Sequence, residues 1–279
     1  MTNGPEIQGR ARIKVRLAQQ LQDRLRLYRE KRESVIRDIT RDPDRPARET
    51  DLNREIITAE LHRLSNLWSE VLSHIRRIKT LAGDILEPTR YAATYLLFGK
   101  VANGIEALFT LAQRGHYYEV MEIVRSNNEA LDLIMLFQHE ASEGRYLKKW
   151  FEGDIIENRE ARDAVDPSMA DIARAANVTP TMPLKQIKTD IYAALSRYTH
   201  VSYSALLDSY APYRQDFDFE RDAGFHYLRS SGLSFIREQI RSTILTLKSF
   251  YLSIPDKSYR ALDAISEKYG LGTQTSLGQ

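Results

Sequence analysis

Apolar residues recur along this chain in steps of three and four, and the cleanest run lies within residues 57–82. Ile57, Leu61, Leu64, Trp68, Val71, Ile75, Ile78 and Ala82 mark a single stripe. This is the a/d seam of a heptad pattern, the spacing with which helices lock side chains together. Such a seam needs a partner. Two are open: an antiparallel hairpin with the preceding helix, or a second copy of the chain. His62 and His74 fall off the stripe, which predicts solvent-facing positions.

The same periodicity organises the rest. Residues 9–40 read as a long helix with a narrow stripe (Ile13, Leu17, Leu21, Leu25, Tyr28, Val35, Ile39) and charges elsewhere. Pro43 and Pro46 among charges predict a turn at 41–49, with Thr50 or Asp51 capping the heptad helix. Residues 83–87 end that unit, and Pro88 suits the first turn of the next helix. Residues 89–113 are apolar on most of their circumference, as in a central core helix, and Gly99 and Gly104 permit close helix approach. Gly115 breaks the chain before another helix at 116–138.

Further on, 141–151 read as a short helix. Residues 154–183, with Pro167, Pro180 and Pro183, read as a long surface loop holding a short helix at 169–176, with a lid as the sharper possibility. Residues 190–203 form a helix with a short helical extension to 209, and 211–222 an aromatic, acidic segment. A helix at 229–254 carries the stripe Leu233, Ile236, Ile240, Ile244, Leu247 and Tyr251; Pro255 stops it, and a last helix spans 256–269. Residues 271–279 are rich in Gly, Ser, Thr and Gln, the composition of a disordered tail. The fold class is therefore all-α: a long N-terminal helical hairpin or coiled coil (1–86), then a multi-helix bundle (87–270), then the tail.

Composition narrows the function. With no Cys, thiolate chemistry, disulfides and cysteine-held metals are excluded. No apolar run approaches the ~20 residues that span a bilayer, and no signal-peptide core opens the chain, which predicts a soluble, cytoplasmic protein without a membrane partner. The net charge of +2 is unevenly spread. Residues 7–48 hold 13 basic against 6 acidic residues, a net of +7, whereas 49–279 hold 27 against 31. A basic stretch at 10–48 suits RNA or an acidic partner, and equally suits a solvated helix face.

Two segments gather reactive side-chain types. Arg125 and Glu129 are four apart on one helix face, with Asp132 a turn further. Tyr192, Ser196 and His200 recur every four residues, so a phenol, a hydroxyl and an imidazole share one stripe. Charges in an apolar helix must be paired or reach water, so the blander reading is a buried structural network. HExxH, zinc-type His/Cys spacing, GxGxxG and GxSxG are missing, and Gly99-Lys100 lacks the rest of a P-loop. No cofactor and no metal is implied. A carboxylate–His site on Glu119, Glu129, Asp132 and His200 ranks last, because paired Glu-x-x-His motifs are missing. Asp216 and Asp218 alone are weak metal ligands.

The run Arg114-Gly115…Glu119, Arg125-Ser126…Glu129, Trp150…Gly153 and Tyr192…Leu195-Ser196-x-Tyr198-x-His200 resembles a group of bacterial all-helical proteins in the orbit of the HEPN-like superfamily. That resemblance covers about a third of the chain. It implies metal-independent RNA cleavage, a toxin or phage-defence setting, and a symmetric dimer. It also implies an Arg, a polar residue and a His as the reacting set. His200 departs from that order, since Arg197 lies only three residues before it. Arg221-Asp222-Ala-Gly-Phe-His226 fits it in spacing and in the polar second residue. The candidate pairs are Arg125 with His200 and Arg221 with His226. The alternative is a non-enzymatic interaction module, oligomerised through the 57–82 helix, with the polar network structural.

Overall fold

The structure is a computed structural model. It describes residues 45–139, 144–157, 159–161, 184–199 and 221–271, and isolated positions elsewhere. The heptad helix is α1 (Arg45–Ala82), which opens earlier than its prolines suggest. Pro46 lies in the first turn, where a missing backbone N–H costs nothing. Gly83 adopts a left-handed φ of 61° beyond its end. Thr89 caps α2 (Arg90–Gln113), its Oγ1 accepting from the Ala92 N–H at 3.1 Å. Pro88 therefore stands before the cap, not in the helix.

The remaining helices are α3 (Tyr117–His139), α4 (Arg145–Phe151), α5 (Leu184–Thr199), α6 (Asp222–Tyr227), α7 (Leu233–Leu252) and α8 (Tyr259–Lys268). A π-turn, Leu228–Gly232, joins α6 to α7 without a break. The helix expected at 229–254 thus begins seven residues earlier, at Asp222. Tyr210–Ala211 and Asp216–Phe217 form one short antiparallel ladder, which leaves the class all-α and places Asp216 in backbone pairing. Among the described residues no helix is long and apolar enough to cross a membrane.

The heptad seam is used inside the chain. Every seam residue from Ile57 to Ile78 is at most 3% exposed, in the same core as the apolar faces of α2, α3 and α7. A second copy cannot use that stripe without unfolding the bundle. Three cross-links tie α1 to the α6–α7 rod. Arg229 donates to Asn53 Oδ1 at 2.7 Å, Arg237 pairs with Glu60, and the Tyr251 hydroxyl donates to the His74 carbonyl at 2.7 Å. Both numbers rise together, so the two helices run parallel. From Asn53 to Glu60 is seven residues, but from Arg229 to Arg237 is eight. The π-turn takes up the extra residue, since a π-bulge is one added residue in an α-helix.

Helices α2 and α3 pack closely because Gly104 has no side chain. A Cβ there would stand 2.2 Å from Asn127 Oδ1. Gly99 lines no such contact. His74 is buried, contrary to its position off the stripe, and its ring lies edge-on to Tyr251. Asp256 accepts from the Ser258 backbone N–H and hydroxyl at the start of α8, which Lys268 and Tyr269 tie to Glu70 of α1 through 2.5 Å and 2.7 Å hydrogen bonds. Leu271 closes the core, so a disordered tail cannot begin there. The 169–176 helix, the apolar stripe of 9–40, Asp218, His200 and the segment 272–279 lie outside the described residues. Among positions of 9–40 that are described, Gln19, Arg26 and Glu33 are helical and exposed.

Candidate functional site

The polar positions of α3 meet α5, which runs antiparallel to it. Arg125 donates from Nε to Glu129 Oε1 at 3.0 Å, and its guanidinium also donates to the Thr199 hydroxyl. Both ion-pair partners are mostly buried. A turn along, Asp132 is buried and accepts from the Tyr192 hydroxyl at 2.9 Å. These two links join α3 to α5. Ser196 does not take part: its hydroxyl donates to the Tyr192 carbonyl at 2.7 Å within its own helix. The residue the spacing missed is Thr199, which lies off the four-residue stripe, so periodicity alone carried no signal for it.

The seam continues into an aromatic cluster. The Tyr118 hydroxyl donates to the Tyr198 carbonyl. The Tyr198 ring stands edge-on to both Tyr117 and Tyr118, with centroids 5.8 and 5.4 Å away. Hydroxyls of Tyr198, Tyr117 and Ser231 follow one another at 3.4 Å, linking α5, α3 and the π-turn. Burial, then Glu122 and Glu119, push the Tyr118 phenol up. Burial, then Glu119, raise the Glu122 carboxyl. On the opposite flank Lys100 donates to the Ser126 carbonyl at 3.0 Å and to Asn127 Oδ1 at 3.4 Å. Loss of water around its ammonium lowers the Lys100 pKa, and Glu129 partly opposes this.

Other residues of the resemblance have packing roles. Trp150 lies 5.6 Å from the Phe137 ring and docks α4 on α3, while Gly115 and Gly153 occupy left-handed turns. Among the described residues no three His, Cys, Asp or Glu gather to hold a metal, and Glu129 and Asp132 are turned to Arg125 and Tyr192.

The second Arg and His lie at the head of α6. Arg221 is the N-cap, with φ of 65°, and is the positive-φ non-glycine among the described residues. A Cβ on Gly115 would stand 2.6 Å from the Arg221 Cβ, and one on Gly224 would stand 1.9 Å from the Gly115 carbonyl oxygen. The α2–α3 turn is thus pressed backbone to backbone against the first turn of α6. Phe225 is buried beneath Arg54, whose guanidinium carbon is 4.9 Å from the ring centroid. Packing on both sides holds Arg221 in a conformation that costs a non-glycine residue of order 1 kcal/mol or more. Arg221 is half-buried; His226 is exposed, its ring 5.7 Å from that of Tyr227.

The structure places Arg125 and the Arg221–His226 pair differently, while His200 lies outside the described residues. It ties Arg125 into an ion pair, and it holds Arg221 and His226 at the rim of the bundle, next to the π-turn. Family models, curated proteins and solved structures offer no match to this chain.

Proposed function

We propose that this chain is a HEPN-like, metal-independent ribonuclease, with Arg221 and His226 as the reacting pair and the α3–α5 seam as framework. The observation that carries the reading is the conformation of Arg221. A strained left-handed residue is kept by two neighbouring glycines and a buried Phe225. Such strain persists only where surrounding structure enforces it, and it concentrates at working sites. In this reading the guanidinium meets the charge that develops on a phosphate in flight. The imidazole takes a proton from the attacking hydroxyl or returns one to the leaving oxygen, the general acid–base work that histidine performs most often. Two copies would bring two such sets together through the α6 end, since the heptad seam is occupied. A bacterial defence or toxin setting belongs to the same proposal and rests on the resemblance.

A second reading is favoured by the seam itself. Arg125 is matched by Glu129 and Thr199, and Asp132 by Tyr192, as in a structural network of a non-enzymatic interaction module. Cleavage of labelled RNA by the full chain, with and without EDTA, separates the two. The nuclease reading expects cleavage that survives chelation and falls about 10²-fold or more in Arg221→Ala and His226→Ala. Cleavage unchanged in His226→Ala, or none under any condition, gives the chain to the interaction module.

A further inference from the structure

The end of the bundle opposite Arg221 carries a surface that neither reading uses. Leu81, Ile85, Leu86 and Leu252 are exposed there, Leu86 by 82% and Leu252 by 61%. They belong to the last turn of α1, the α1–α2 turn and the end of α7. These segments converge: Tyr91 of α2 meets Phe250 of α7 with centroids 6.1 Å apart, and Arg77 of α1 lies 3.8 Å from Asp256 beyond α7.

The same segments and the start of α8 carry exposed cations. Arg76, Lys79, Arg90, Lys257 and Arg260 are exposed and form no ion pair among the described residues. Arg90 and Arg260 instead lie over the rings of Tyr91 and Tyr259. With Arg77 and Lys248, residues 76–90 and 248–263 hold seven basic residues against four acidic ones, Asp84, Glu87, Asp256 and Asp263. Two of those four are already paired, Asp256 with Arg77 and Asp263 with Lys248. A surplus of +3 stands within residues 49–279, whose net charge is −4.

We infer that this end docks on an anionic lipid surface, with Leu81, Ile85, Leu86 and Leu252 entering the headgroup region and the surrounding Arg and Lys meeting lipid phosphates. Charge rules out two simpler occupants. The same patch of a second copy is equally basic, and the chain's own residues 7–48 carry +7. Shape favours lipid over an acidic helix. A bound helix needs an apolar groove, whereas Leu86 projects from a turn. Protruding aliphatics flanked by Tyr and by Lys or Arg match the layered polarity of a membrane interface. The inference does not rest on the ribonuclease reading, and it departs from the expectation of no membrane partner, which rested on the lack of a spanning segment.

The test is co-sedimentation of the full chain with phosphatidylcholine vesicles, alone or with roughly one-third phosphatidylserine. Binding is expected to the anionic vesicles only, weakening as salt rises. Lys79→Glu with Lys257→Glu should reduce it by about tenfold or more, and Leu86→Asp with Leu252→Asp by a similar factor. All four side chains are exposed, so thermal unfolding followed by circular dichroism should match the parent. Three results would overturn the inference: no binding, equal binding to neutral vesicles, or binding that neither pair of changes reduces. So would charge reversals that abolish retention of an RNA homopolymer or polyglutamate while vesicle binding stays intact. Arg221→Ala and His226→Ala should bind vesicles like the parent.

Discussion

Arg125 lies in the α3–α5 seam with its guanidinium between Glu129 and Thr199, whereas Arg221 sits at a left-handed backbone position at the head of α6. The first is held by its side chain, the second by its backbone. An arginine paired with a mostly buried carboxylate is poorly placed to take a phosphate, because doing so would draw it away from Glu129. Arg221 is fixed through its main chain and Cβ packing. Residue type alone does not distinguish them, since both are arginines near glutamates or aspartates in sequence.

The comparison can be broken at either site, and the largest effect is expected in catalysis. His226→Ala should cost about 10²-fold or more in RNA cleavage and little in stability, because the ring is exposed. A urea melt run beside the assay reads both. If stability falls and cleavage does not, Arg221 and His226 are framework like Arg125.

Next is the contact that sets Arg221. Gly224→Ala puts a methyl 1.9 Å from the Gly115 carbonyl oxygen, backbone against backbone, and should destabilise by about 2–4 kcal/mol. Gly115→Ala, at φ 77° and 2.6 Å from the Arg221 Cβ, should do the same less severely. Denaturant midpoints report both. Parent-like stability in Gly224→Ala would mean that the turn is not braced as described.

The seam should respond in stability alone. Arg125→Ala leaves Glu129 mostly buried without its cation and should cost about 2 kcal/mol, with Glu129→Ala close behind. A double-mutant cycle should return coupling of about 0.5–3 kcal/mol. Tyr192→Phe removes the donor to buried Asp132 and should cost about 1–2 kcal/mol. Any of these variants losing cleavage while keeping its melting point would move the reacting site into the seam.

The smallest effect is a pH dependence remote from both arginines. Burial lowers the pKa of His74 and of His139, whose ring lies 3.1 Å from the Ser249 hydroxyl. For His74, Arg77 lowers it further and Asp256 opposes. The unfolded chain then binds protons more readily than the folded one once pH drops below about 6.5, the ordinary histidine value. The stabilisation from the neutral rings is complete above that pH and is lost as pH falls towards the folded-state values. Unfolding free energies between pH 8 and 5 should show the decline, and His139→Gln should flatten it.

Much of this fold was legible because burial leaves a periodic trace. The stripe Ile57–Ala82, the apolar circumference of 89–113 and the stripe Leu233–Tyr251 all mark buried helices, and all three lie in the core. The partner of each stripe left no such trace. A heptad seam looks the same whether it meets α2 and α7 of its own chain or another molecule. At the site, the i, i+4 pair Arg125–Glu129 was readable because one helix sets its geometry. Thr199 was not, since that contact spans 74 residues and depends on how α5 is rotated against α3. His74 misled for a similar reason: it is off the α1 stripe, and α7 covers it from the side.

By itself, the sequence determined that this protein is helical, where most helices run, which of their faces are apolar, and which local charge pair would form. These follow from the 3.6-residue repeat and from short-range sterics, which act within a few residues. Tertiary structure alone decided that the heptad seam closes inside the chain, that a π-turn absorbs one residue between α6 and α7, and that Arg125 is neutralised while Arg221 is braced in a left-handed turn. Those outcomes depend on contacts between residues tens to hundreds of positions apart, where close packing admits one arrangement and local pattern carries no record of it.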